Sequence, residues 1–212
     1  MSKIADIRTD YKMKFLSENE VDKNPIKQFG KWWADALNSK IDEVNAMTLA
    51  TATLEGKPSA RIVLLKGYDE NGFVFFTNYN SRKGNELLQN PQAALVFFWK
   101  ELERQVRIEG WIEKISEADS DAYFASRPVN SQIGAWASPQ SNIILDRKVL
   151  DENIEKYTQQ FKESILRPPH WGGYIVKPVS IEFWQGRPNR LHDRLLYALQ
   201  ADKSWKICRL AP

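Results

Sequence analysis

The sequence predicts an α+β chain that is mainly β: an antiparallel sheet closed into a barrel, with helices packed outside it. Three observations predict this class. Short stretches rich in β-branched and aromatic residues follow one another across tight turns. Helical patterns are inserted between groups of strands and do not alternate with single strands as βαβα units do. The 212 residues are 42% hydrophobic and 12% aromatic, enough to fill one core.

Residues 1 to about 23 are polar, lack a sustained period and read as a mobile arm; residues 24–212 read as one domain. Asn24-Pro25 is a helix start, with an N-cap Asn and Pro at the first helical position. Ile26, Phe29, Trp33, Ala36 and Leu37 then share one face of a helix over 25–39. Met47 to Leu54 and Ser59 to Gly67 read as strands paired through the Glu55-Gly56-Lys57-Pro58 turn. Asp69-Glu70-Asn71-Gly72 is a second turn before strand Phe73 to Thr77. Ser81 to Asn90 reads as a short helix capped by Asn80 or Ser81, and Ala93 to Trp99 and Glu103 to Ile115 as two further strands. Ser116-Glu117-Ala118-Asp119 resembles a capping box, opening a helix that runs to about Ser126 before Arg127-Pro128 stops it. Helical patterns return at Ser131 to Ala137 and at Asp146 to Phe161, where Val149, Leu150, Ile154 and Tyr157 share a side. Arg167-Pro168-Pro169 breaks the chain, and Gly173 to Trp184, Asp193 to Gln200 and Trp205 to Leu210 close it as strands.

Bulk composition narrows the chemistry. Thirty basic and 27 acidic residues leave a net charge of +3, so an anion site must be a local cluster and a nucleic-acid-binding surface is disfavoured. The single cysteine, Cys208, rules out an internal disulfide and reads as a small packing residue rather than a nucleophile. The N-terminus lacks the apolar stretch of a signal peptide, and the longest apolar run, Ala93 to Trp99, is too short to span a bilayer. A cytoplasmic protein without membrane contact is expected. Two separated histidines, His170 and His192, with one cysteine build no metal site. Glycine-rich phosphate loops and a GxSxG elbow are missing, so any phosphate must be held largely by side chains.

Four clusters offer such side chains. In Trp184-Gln185-Gly186-Arg187-Pro188-Asn189-Arg190-Leu191-His192-Asp193-Arg194, residues 190, 192 and 194 alternate and in an extended strand share a face. That face is either a charged strand edge or the wall of a pocket for an anionic ring, with Trp184 as an aromatic surface. In Arg61-Ile62-Val63-Leu64-Leu65-Lys66, strand parity sends Arg61 and Lys66 to opposite faces, as charged ends of a core strand or as ligands of two anions. Arg82 and Lys83 open a helix, where cations are unfavourable unless an anion is present. Tyr123, Arg127 and Ser131, spaced by four, make either an ordinary helix surface or a second phosphate site. Gln105, Gln140 and Ser141 add neutral donors and acceptors.

In order, these segments resemble the pyridoxamine/pyridoxine 5′-phosphate oxidase family. The matching stretches include Arg61–Lys66, Phe76-Thr77-Asn78, Ser81-Arg82-Lys83, Leu102–Val106, Ser126-Arg127-Pro128, Ser131–Trp136, Gln140-Ser141, Trp171-Gly172-Gly173, Ile181–Gly186, Arg190–Arg194 and Arg209–Pro212. The resemblance implies an FMN-binding split β-barrel that works as a homodimer with FMN at the subunit interface. It implies that FMN is contacted by Arg61, Ile62, Val63, Leu64, Leu65, Lys66, Phe76, Thr77, Arg82, Lys83, Gln105, Gln140, Ser141, Trp184 and Arg194. It places the substrate phosphate on Lys66, Tyr123, Arg127 and Ser131. It further implies that Arg190 and His192, the catalytic pair, lie over the substrate ring, that Leu191 is among the substrate-binding residues, and that Arg8 and Tyr11 in the arm cover the substrate. Two departures touch the arm and its surroundings: Lys12 to Ser17 replaces a glycine- and arginine-rich run, and Glu43-Val44 replaces an Asp-Pro pair. The implied reaction is FMN-dependent oxidation of pyridoxamine or pyridoxine 5′-phosphate to pyridoxal 5′-phosphate, with O2 as acceptor and H2O2 released. The rival readings are another split-barrel flavoprotein such as a flavin reductase, and a barrel that only binds flavin or pyridoxal phosphate.

Overall fold

The structure, a computed structural model, describes residues 11, 13–162 and 164–212. In chain order the elements are α1 (Pro25–Asn38), β1 (Ala46–Ala52), β2 (Pro58–Leu64), β3 (Gly67–Asp69), β4 (Gly72–Asn78), α2 (Arg82–Gln89), β5 (Gln92–Trp99) and β6 (Arg104–Lys114). There follow α3 (Glu117–Ala125), α4 (Val129–Ala137), α5 (Lys148–Gln160), β7 (Trp171–Gln185), β8 (Asp193–Leu199) and β9 (Trp205–Arg209). Among the described residues nine strands form one sheet in the order β2-β1-β5-β6-β7-β4-β3, with β8 on β7 and β9 on β8. The pairings of β4 with β7 and of β7 with β8 are antiparallel, Phe76 opposite Gly173 and Trp184 opposite Arg194. No helix among the described residues is long and apolar enough to cross a membrane.

The contacts divide the chain into two compact units, and β1, β5, β6 and β7 each contribute residues to both. The first unit takes the described residues up to Leu49, Ala94–Gly110 and Pro178–Pro212. Its α1 starts as the sequence predicts: the Asn24 side chain accepts from the Ile26 and Lys27 amides at 2.8 and 3.1 Å, and Pro25 fills the first turn. The buried face is rotated from the predicted one. Trp32 is buried with Ile26, Phe29 and Ala36, while Leu37 is exposed. The reason is tertiary. The Arg104 guanidinium sits 4.4 Å from the centroid of the Trp32 ring and pairs with Asp35 at 2.8 Å, and Phe183 meets Trp32 edge-on at 5.1 Å. Phe97, Trp99 and Tyr197 complete this core.

The described part of the N-terminal segment is tied to the same unit. Leu16 is buried and its amide donates to Asp193 at 3.2 Å. Arg209 grips Glu18 at 2.8 and 2.7 Å, and the Tyr197 hydroxyl donates to the Asp22 carbonyl at 2.6 Å. Arg8 lies outside the described residues.

The second unit comprises Ala50–Ala93 and Trp111–Lys177. Its core is built on Phe73, Phe75, Leu87, Phe124, Tyr174 and Val176. β2 stops at Leu64, short of the predicted Gly67, because the chain turns into β3 and the Lys66 amide donates to the Val74 carbonyl at 2.8 Å. Ser81, not Asn80, caps α2, and Ser116 caps α3 by accepting from the Asp119 amide at 3.0 Å. α5 buries no side chain completely; Tyr157 and the following Phe161 instead pack on Trp136 at 5.6 and 5.2 Å.

Candidate active site

The second unit contains a cavity of about 990 Å³ lined by β2, β4, the start of α2, the α3–α4 corner, Ser138, Gln140, Ser141 and Trp171. Among the described residues its wall carries the cations Arg61, Lys66, Arg82, Lys83 and Arg127 and no carboxylate. A space of this size and polarity suits a cofactor-sized anion.

At α2 the chain closes tightly. The Ser81 hydroxyl accepts from the Gly84 amide at 3.3 Å and donates to the Asn78 carbonyl at 2.7 Å. A Cβ at Gly84 would lie 2.1 Å from the Tyr79 carbonyl oxygen, so only glycine permits this approach. Lys83 follows and is buried; its Nζ donates to Ser81 Oγ at 3.2 Å and to Gln140 Oε1 at 3.1 Å. Burial first, and the Arg61 charge second, push its ammonium down to about 8. A cation so poorly hydrated, beside a helix N-terminus, is predisposed to take an anion.

Arg61 donates through Nη1 to Thr51 Oγ1 at 2.6 Å and through Nη2 to Ser59 Oγ. Behind both hydroxyls lies Glu86, buried on α2. It receives Arg82 Nε at 2.9 Å, the Ser59 hydroxyl at 2.5 Å and the Thr51 hydroxyl. Burial works to raise the Glu86 carboxyl, but hydrogen bonds from Ser59, Thr51 and Arg82 outweigh it and hold it at about 2.

Elsewhere in the cavity the aromatic rings stack. Phe76 lies 3.9 Å from Tyr123 and 5.4 Å from Trp171, with planes within 20°. Arg127 lies over Trp171 at 4.6 Å. Its Nη1 is buried and has no hydrogen-bond partner among the described residues. A guanidinium nitrogen in that position is a donor awaiting an acceptor.

The first unit holds a second group of predicted site residues. Trp184 and His192 rings are 4.6 Å apart, and Tyr11 meets them at 5.7 and 5.9 Å. Gly186 makes room for Tyr11, since a Cβ there would lie 2.7 Å from the Tyr11 ring. The Arg187 amide donates to His192 Nδ1 at 3.1 Å, which leaves the proton of the neutral imidazole on Nε2. Burial, then the Arg190 charge, lowers the His192 pKa. Arg194 is bound to Glu182 through Nε at 2.7 Å and Nη2 at 3.1 Å.

The alternation expected for Arg190, His192 and Arg194 does not survive. Residues Pro188–Arg190 form a 3-10 turn with positive φ at Asn189 (56°) and Arg190 (62°), and the strand begins only at Asp193. Strand parity also fails for Arg61 and Lys66, which line one cavity because β2 ends between them. Of the other predicted residues, Ile62, Val63, Leu64, Phe76, Thr77, Arg82, Lys83, Tyr123, Arg127, Ser131, Gln140 and Ser141 line the cavity. Leu65 does not: it is buried in the core of the second unit. Gln105 and the exposed Leu191 belong to the first unit with the Trp184 group. The sequence reading missed Ser59, Glu86 and the lining role of Trp171. The Arg82/Glu86 spacing of four on a helix was the available signal for Glu86.

Comparison with known proteins gives the same ancestry along the chain. Residues 34–161 match the family described as pyridoxamine 5′-phosphate oxidase, and residues 171–212 match the pyridoxine 5′-phosphate oxidase C-terminal dimerisation region. A pyridoxine/pyridoxamine 5′-phosphate oxidase of Trichormus variabilis is 60% identical over 210 residues, covering 99% of this chain and 98% of that protein. One of Paraburkholderia phymatum is 58% identical over the full length of both. Among solved structures, PhzG of Burkholderia lata in complex with tetrahydrophenazine-1-carboxylic acid superposes with a TM-score of 0.89 at 30% identity, covering 96% of this chain and 100% of that one. A pyridoxamine 5′-phosphate oxidase-related, FMN binding protein of Nostoc punctiforme shares the fold at a TM-score of 0.69 and 20% identity, over 86% of this chain and 96% of that one. The antiparallel split β-barrel with peripheral helices is therefore the fold, and the chain belongs to the pyridoxamine 5′-phosphate oxidase family.

Proposed function

We propose that this protein is an FMN-dependent oxidase that converts pyridoxamine 5′-phosphate and pyridoxine 5′-phosphate to pyridoxal 5′-phosphate, with O2 as the acceptor and H2O2 as co-product. The observation that carries the reading is the buried Nη1 of Arg127, which has no hydrogen-bond partner among the described residues, in a cavity that those residues line with further cations and no carboxylate. One set, Arg61, Arg82 and Lys83, suits the cofactor phosphate. The other, Lys66 and Arg127 with Tyr123 and Ser131, suits the phosphate of the substrate. Bound FMN would supply hydride acceptance at this site.

The protein's part is geometry and electrostatics. Arg127, already oriented by Trp171, anchors the remote phosphate and turns its binding energy into alignment of the reacting carbon. Gln140, placed by Lys83 and Thr77, presents an amide to the cofactor. His192 acts as a hydrogen-bond donor through Nε2: its Nδ1 is occupied by the Arg187 amide, and its lowered pKa favours the neutral ring. It holds the substrate and does not take its proton. Arg190 supplies positive charge beside it.

The protein acts as a homodimer with FMN at the subunit interface. The Trp184–Arg194 segment falls within the residues matched to the dimerisation region, while the cavity is built from the other unit. In this reading the Trp184 group of each subunit completes the cavity of its partner.

The test is an absorbance spectrum of the purified protein, followed by anaerobic addition of pyridoxine 5′-phosphate. A flavin spectrum that bleaches, then recovers with H2O2 on admitting air, supports the proposal. Bleaching by NADH but not by the substrate would make the protein a flavin reductase. A spectrum that neither bleaches would make it a flavin-binding protein.

A further inference from the structure

We propose that Glu86 is a positioning residue that aims Arg61 and Arg82 at the cofactor phosphate through a directional relay of two hydroxyls. The inference rests on the assignment of Arg61, Arg82 and Lys83 to that phosphate.

Glu86 does not line the cavity; it stands behind the two arginines, one helical turn along α2 from Arg82. Its Oε1 takes Arg82 Nε at 2.9 Å. Its Oε2 takes the Thr51 hydroxyl, the Ser59 hydroxyl at 2.5 Å, and lies 3.5 Å from Arg61 Nη2. A carboxylate only accepts, so both hydroxyl protons point to Glu86. The lone pairs of Thr51 and Ser59 are thereby left to accept from Arg61, and they do, one from each terminal nitrogen. The arrangement sets the plane of the guanidinium from behind. Thr51 is on β1, Ser59 and Arg61 on β2, and Glu86 on α2, so the relay also ties the helix to the hairpin.

Two roles for this carboxylate predict opposite signs. As a simple counter-charge, Glu86 weakens anion binding, and its removal strengthens it. As a positioning group, its removal weakens phosphate binding even though the site becomes more positive. Glu86→Gln keeps the shape but offers an NH2 donor, which reverses the hydroxyls toward Arg61 and breaks the relay.

The experiment compares the affinity of the apoprotein for FMN and for riboflavin, which lacks the phosphate. Glu86→Gln is expected to weaken FMN by about tenfold or more, the scale of a charge-assisted hydrogen bond, and to leave riboflavin unchanged. Glu86→Asp should recover part of the loss. FMN affinity that is unchanged or tighter in Glu86→Gln overturns the proposal, as does equal weakening of both flavins. If that variant does not fold, Thr51→Val and Ser59→Ala are judged by the same criterion. A wild type that binds FMN no better than riboflavin would instead remove the phosphate assignment itself.

Discussion

Arg127 and Lys83 are the two side chains whose surroundings ask most directly for a ligand. Arg127 keeps a buried donor without an acceptor among the described residues, so a bound phosphate relieves a cost the free protein carries. Arg127→Ala is expected to raise the KM for pyridoxine 5′-phosphate by an amount worth roughly 1.5–3 kcal/mol, with flavin content unchanged; an unaltered KM in steady-state assays removes Arg127 from the substrate site. Lys83 gives a pH signature. Its ammonium sits at about 8 in the free protein, and a phosphate beside it raises that value. FMN affinity therefore falls as pH rises through that value, while riboflavin affinity is flat across it. Flavin fluorescence titrations across that range check the sign. At this scale the sequence was legible where partners are close in the chain. Tyr123, Arg127 and Ser131 could be grouped by their spacing, whereas Glu86 joins Thr51 and Ser59 from 35 and 27 residues away.

Secondary structure was readable wherever it is decided by a few neighbours. The Asn24 cap is such a case: its side chain satisfies two amides that α1 would otherwise leave open. Asn24→Ala is expected to cost about 1 kcal/mol of stability, read from the urea midpoint with the slope unchanged. Ser81 and Ser116 cap α2 and α3 by the same chemistry. Reading failed where an element ends for reasons outside itself. β2 stops at Leu64 because Lys66 pairs with Val74, and the run before β8 is bent by two consecutive positive-φ residues, Asn189 and Arg190. Each of these shifts reassigns the direction of a charged side chain, since strand parity holds only while the strand continues.

For the whole molecule, the proposed interface site makes a prediction that no single chain can imitate. Arg61→Ala and Arg194→Ala subunits should each form poorly active homodimers. Mixed dimers of the two should regain activity, because one of their two sites then takes an intact Arg61 from one subunit and an intact Arg194 from the other. Absence of recovery in unfolded and refolded mixtures would place both arginines in the same subunit's site. Sequence by itself determined the mainly antiparallel class, most helices and their caps, and the residues matching the family, because periodicity, capping and turn chemistry act over a few residues. Tertiary structure alone decided which face of α1 is buried, that Arg61 and Lys66 share a cavity, that His192 is held through Nδ1, and that Glu86 stands behind the arginines. Those outcomes depend on strand register and on contacts between distant segments, whose geometry is set only when the sheet and helices pack together.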